Sequence, residues 1–148
     1  METTKHREGA SEQISFAFWD RKIGPFLDAA GVLNVAALSE HELTVCEEFG
    51  DILALPTVGH LDVLYPAFQF GRRGELLPGL REVSRALSEI GIDTWDIALW
   101  LTTVRKIYGG KCAIDLIHTG RTEEVVAAAI QDGKNPTAFF KADDSGPT

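Results

Sequence analysis

The stretch that most constrains the fold runs from Asp93 to Ile117, DTWDIALWLTTVRKIYGGKCAIDLI. Asp93 is a strong N-cap residue, because its carboxylate can accept hydrogen bonds from the free amides of a first helical turn. Trp95, Ala98, Leu99, Leu101 and Thr102 follow at helical spacing and predict one large apolar face, with Trp100 beside it. Thr102 and Thr103 weaken the helix, and Gly109-Gly110 ends whatever continues past them. A second apolar run, Ile114, Leu116 and Ile117, begins after Lys111. Two helices joined by a broken connection are therefore expected at the centre of the second half.

Helix signals recur along the chain. Pro78 to Gly91 is an amphipathic helix, with Leu80, Val83, Leu87 and Ile90 on one face and Arg81, Glu82, Arg85 and Glu89 facing water. Thr122 is expected to cap a last helix through Val125, Val126, Ala129 and Ile130, ended by Gly133. In the first half, Pro25 suits the start of a short helix over Phe26 to Ala30, stopped by Gly31. Asn34 then caps a second through Leu38. Ser39 with Glu42 three residues on is a capping box for a third, ending at Gly50. Short helix, turn, helix is the outline of a helix-turn-helix module.

The period changes after Gly50. Ile52 to Leu55 and Leu61 to Leu64 are short apolar runs separated by Pro56, Gly59 and His60, which predicts a β-hairpin or wing. FQFGRRG (Phe68 to Gly74) is a loop turning between Gly71 and Gly74. Met1 to Ala10 is a polar lead-in expected to lack order, and Ser11 to Lys22 a short helix carrying Phe16, Phe18 and Trp19.

The 148 residues suffice for one ordinary domain or two small ones, and 45% hydrophobic with 24% charged residues is usual for a globular protein. The two cysteines, Cys46 and Cys112, form no CxxC pair and no secretory leader precedes them, so reduced thiols in the cytoplasm are expected. No apolar run reaches the ~18 residues of a membrane span. The four histidines are scattered, so neither a metal site nor a cofactor site is expected. Cys112 with His118 lacks the spacing of a nucleophile and base, and GRRGELLPG lacks the lysine-serine pair of a phosphate loop. Glu47-Glu48 and Glu123-Glu124 read as solvated helix faces.

Charge placement carries more. The net charge is −8, and no lysine or arginine occurs between Pro25 and Gly71, where Asp28, Glu40, Glu42, Glu47, Glu48, Asp51 and Asp62 are all acidic. Lysine and arginine supply most non-specific DNA affinity by neutralising phosphates. A third helix this acidic would be repelled from a major groove. Arg72 and Arg73 are the residues left to touch phosphate.

The second half also has a distinctive order. Tyr65-Pro66-Ala67-Phe68-Gln69-Phe70 is followed by Gly74, Pro78-Gly79-Leu80, Trp95, Ile97-Ala98, Trp100-Leu101, Gly109-Gly110, Ile114-Asp115-Leu116-Ile117 and Gly120. This resembles the toxin-binding domain of the Xre–MbcA–ParS type antitoxins, whose partners are RES-domain toxins. The match covers Tyr65 to about Ile130. The stretch from Ile23-Gly24-Pro25-Phe26 is similar to the degenerate helix-turn-helix found upstream of that domain. Ala113 stands where the family usually has proline, Tyr108 where it has leucine, and Val104 to Ile107 replace a proline-asparagine turn.

The resemblance implies a non-enzymatic helical protein that blocks a toxin similar to NAD-consuming enzymes, often with its C-terminal residues. In KNPTAFFKADDSGPT, Phe139 and Phe140 either fold back onto their own domain or dock in the partner while Asp143 and Asp144 reach a basic active-site mouth; without the tail contact, the interface falls to the region of Arg105, Lys106 and Lys111. The fold expected is mainly α: a lead-in (1–22), a degenerate winged helix-turn-helix with a small β-hairpin (23–75), a helical toxin-binding-like domain (76–132) and a tail (133–148). The function expected is neutralisation of a RES-type protein toxin, with no cofactor and no membrane partner, and with a homo-oligomer left open. The alternative is a helix-turn-helix DNA-binding regulator, autoregulating a toxin–antitoxin operon.

Overall fold

A computed structural model describes residues 20–57 and 63–134. Most of the lead-in and its expected helix, the hairpin tip and the C-terminal tail lie outside these residues; residues 20–22 are helical. The described elements are β1 (Phe26–Leu27), α1 (Ala29–Ala36), α2 (Glu40–Phe49), β2 (Tyr65–Pro66), a 3-10 turn (Ala67–Gln69), α3 (Leu80–Ser88), α4 (Thr94–Thr102), β3 (Val104–Arg105), a second 3-10 turn (Lys106–Tyr108), β4 (Lys111–Cys112), α5 (Ala113–His118) and α6 (Thr122–Lys134). The fold is mainly helical, as the sequence indicates.

The first lobe is built on caps. One helix replaces the two expected on either side of Gly31. Asp28, not Asn34, is its N-cap: the Gly31 amide donates to Asp28 Oδ1 at 2.7 Å. Gly31 thus sits in the first turn, where its amide needs such a partner, and Asn34 lies exposed within the helix. Phe26 and Leu27 are not helical either. They pair antiparallel with Tyr65 and Pro66, so Pro25 leads into a strand rather than a helix. The Ser39 capping box is present in both directions, at 2.8 and 3.1 Å, and α2 stops at Gly50. Of the wing, one antiparallel bridge is described, Leu55 with Leu64. Val32, Leu43, Ile52, Tyr65 and Phe70 form this lobe's core.

The second lobe packs α3 to α6 around Leu80, Val83, Leu87, Ile97, Trp100, Leu101, Ile114, Leu116, Val125 and Ala129. Leu80, Val83 and Leu87 fall on one face of α3 as their spacing predicts. In α4 the buried face is Ile97, Ala98, Trp100 and Leu101, while Trp95 and Leu99 are half-buried. The expected face is therefore rotated toward Trp100. Asp93 caps the helix, with the Asp96 amide donating to Oδ1 at 2.9 Å. The Thr102 and Thr103 hydroxyls donate back to the Ala98 and Leu99 carbonyls, and the helix ends there. Gly133 does not stop α6 but lies within it. A β-carbon there would stand 2.2 Å from the Ala86 carbonyl oxygen, so only glycine lets α6 come this close to α3.

The segment between the lobes ties them together. Leu53 and Leu55 belong to the second core although they follow α2 directly. The buried Gln69 side chain clamps this segment: its oxygen accepts from the Leu53 amide at 2.6 Å, and its NH2 donates to the carbonyls of Leu53 (3.0 Å) and Pro66 (3.1 Å). Thr94 Oγ1 donates to the Ala54 carbonyl and Trp95 Nε1 to that of Pro56. Arg81, expected to face water, makes a two-pronged pair with Asp51 and lies over the Phe49 ring at 4.9 Å.

Candidate partner-binding surfaces

Two surfaces of opposite charge stand out. The first is the acidic face of α2. Glu40, Glu42 and Glu48 are exposed on it. Glu47 is half-buried and accepts the Tyr65 hydroxyl at 2.5 Å. Burial first, and then this bond, push the Tyr65 phenol well above its ordinary value, so it is a fixed donor. At the C-terminal end of α2 a groove of about 390 Å3 opens between the lobes. Ile52, Leu53, Ala54 and Ile97 line it together with Glu47 and Glu48, and Arg85 stands among the lining residues too. Phe49, 52% exposed, stands at its edge.

The second surface is the β3–β4 ribbon, paired Val104 to Cys112 and Arg105 to Lys111. Ile107, on the 3-10 turn, is 77% exposed, and Val104 is 53% exposed. Lys106 and Lys111 flank them in solvent. From Val104 to Ile114 the chain carries Arg105, Lys106 and Lys111 and no acid.

The ribbon is firmly based. Arg105 turns inward, 3.6 Å from Asp132 Oδ2 and 5.3 Å from the centre of the Trp100 ring, while Trp100 Nε1 donates to the same Asp132 oxygen at 2.8 Å. Tyr108 and Cys112 are buried beneath. Of the three cations expected to meet a partner, Arg105 is thus engaged inside its own chain, and Lys106 and Lys111 are free to solvent. Arg72 and Arg73 are exposed on the Gly71–Gly74 turn, far along the sequence from the ribbon. Gly74, at φ 80°, places this turn against α1: a β-carbon there would stand 1.9 Å from the Val35 carbonyl oxygen. Phe139, Phe140, Asp143 and Asp144 lie outside the described residues.

Sequence reasoning passed over Ile107, Val104 and Phe49. Their signal was local and weak: Ile107 stands between Lys106 and Tyr108 just ahead of the Gly109-Gly110 break, and of these two apolar neighbours, Ile107 and Tyr108, only Tyr108 is buried. Among the described residues no group of histidine, cysteine and acidic side chains could hold a metal ion. The Cys112 thiol lies 3.2 Å from Asp115 Oδ2, and burial, the largest influence, pushes it up and keeps it protonated. His118 Nε2 is 2.7 Å from the Phe68 carbonyl oxygen, bonded there rather than to Cys112. Burial and then Asp51 push the Cys46 thiol up as well. No described helix is long and apolar enough to cross a membrane.

No protein-family model and no curated protein matches the chain. Among solved structures, the NMR structure of Rv2175c is similar over 74% of this chain and 81% of that one, with a TM-score of 0.63 and 20% identity. At that identity the likeness is one of fold, and the mainly helical architecture seen here is what the two chains have in common.

Proposed function

We propose that the protein is a non-enzymatic, antitoxin-like binder that neutralises a partner enzyme of the RES type. The observation that carries this reading is the acidity of α2, which contains no lysine or arginine and exposes Glu40, Glu42 and Glu48. An enzyme that binds a dinucleotide must present positive potential to its phosphates. A negative surface is the complement of that mouth and steers association toward it. The sequence of residues 135–148 carries the same sign of charge at Asp143 and Asp144, together with the apolar Phe139 and Phe140. The order of residues from Tyr65 to Ile130 supports the reading. Tyr65, Trp100, Ile114 and Leu116 serve as core, so recognition falls to the exposed residues and the tail. The test is co-expression of a RES-type enzyme with the full chain and with a chain ending at residue 134. The full chain restores growth and the shortened chain, though folded by circular dichroism, does not; full rescue by the shortened chain rejects the tail contact.

One observation favours a second reading, a helix-turn-helix regulator: α1 and α2 are joined by three residues, and Arg72 and Arg73 are exposed on the turn packed against α1. The antitoxin reading expects no binding to random duplex at physiological salt. Tight binding that falls steeply with salt in a mobility-shift titration replaces it with the regulator.

A further inference from the structure

We propose that the chain associates with a second copy of itself, the β3–β4 ribbon of one molecule docking through Ile107 into the groove at the end of α2 in the next. The argument starts from the exposed side chain. An isoleucine 77% exposed beside a half-exposed Val104 is apolar area without a partner, and it sits on a preorganised turn. Arg105 is held by Asp132 and the Trp100 ring, and Tyr108 and Cys112 are buried, so the ribbon loses little freedom on docking.

The groove has the matching shape and sign. Its volume of about 390 Å3 admits an aliphatic side chain, and Ile52, Leu53, Ala54 and Ile97 give that chain an apolar lining. Glu48, and Glu47 beside it, which also accepts the Tyr65 hydroxyl, give the lining a charge opposite to that of Lys106 and Lys111. Asp93, exposed beside Thr94 of the lining, adds a further negative charge. Arg85, of like charge to the ribbon, is the one cation among the lining residues, against Glu47, Glu48 and the adjacent Asp93. A cationic ribbon from another molecule balances the remaining acids.

A molecule cannot fill its own groove. Thr94 and Ile97, in the first half of α4, line the groove, whereas the ribbon leaves the other end of the helix after Thr102 and is pinned there. The contact therefore joins two different surfaces, head to tail, and builds rings or chains rather than a two-fold dimer. This inference needs only the isolated chain and stands apart from any toxin.

Sedimentation of the full chain over a wide concentration range tests it. The mean mass rises with concentration and falls back in high salt. Ile107→Glu, which spoils the ribbon, and Glu48→Lys, which spoils the groove, each weaken association by more than about tenfold, as expected at the centre of a contact. Both sites are exposed, so both variants fold; Lys111→Glu serves as an independent ribbon variant. Mixed in equal amounts, Ile107→Glu and Glu48→Lys form a dimer and nothing larger, because one supplies the intact groove and the other the intact ribbon. A wild-type chain that stays monomeric at the highest concentration overturns the proposal. So does association of either variant at wild-type strength, or a mixture that stays monomeric.

Discussion

The two lobes are held together in different ways. The second buries a continuous set of large apolar side chains from four helices, with Leu80, Val83, Leu87, Ile97, Leu101 and Leu116 almost wholly enclosed. The first has a small core and leans on polar fixings: the Asp28 cap, the Ser39–Glu42 box, the Tyr65–Glu47 bond and the Gln69 clamp. Burial scales with area and tolerates small shifts, whereas hydrogen bonds fix position but add little net stability each. The second lobe thus supplies most of the stability, and the first holds an exact backbone path on which an acidic surface can be displayed.

That comparison is testable by substitution. Leu101→Ala, in the second core, is expected to cost near the top of the range of about 2–5 kcal/mol for a buried leucine, and Leu43→Ala near the bottom, because the smaller cluster around Leu43 can close over the gap. Denaturation midpoints measure both. Equal losses would show that the first core is as tightly packed as the second.

Gln69→Leu keeps the volume but strands the Leu53 amide and carbonyl, at about 1–3 kcal/mol for each buried group left unpaired. Because Leu53 sits in the second core, the loss should appear in one transition of the whole chain. Two separate transitions would show the lobes unfolding apart.

The smallest effect is in alkali. The chain has two tyrosines, Tyr65 in the first lobe and Tyr108 in the second. Burial raises both phenols, and the bond to Glu47 raises Tyr65 further. In the unfolded chain each ionises near the ordinary value of about 10. The unfolded state then loses protons that the folded state keeps. Stability is therefore full below about pH 10 and declines as pH rises above it. Tyr65→Phe should remove the larger part of that decline and Tyr108→Phe the smaller. The reverse ranking, read from stability against pH, would place the tighter tyrosine in the second lobe.

How much was legible follows from where the forces act. The Ser39 box, the Asp93 cap, the α3 face and the Gly71–Gly74 turn are local, and the residues that make them are near neighbours. What the chain order conceals is anything that needs a distant partner. Phe26 and Leu27 read as helix until Tyr65 and Pro66 are beside them. Arg81 reads as a solvent residue until Asp51 is opposite. Gly133 reads as a stop until Ala86 is found against it. At the candidate surfaces the acidic run was visible from composition, but the inward turn of Arg105 depends on Asp132 and Trp100, which the sequence does not place near it.

Leu53 and Leu55 carry a last consequence. They precede α3 by more than twenty residues, yet their side chains fill the space between its helices. Ile23, earlier still, does the same. A fragment beginning at residue 76 would leave these three sockets open and expose leucine and isoleucine faces to water. The second half cannot be exchanged as a cassette between proteins without carrying its upstream neighbour along, and a gene fusion that cut there would inherit an aggregating protein.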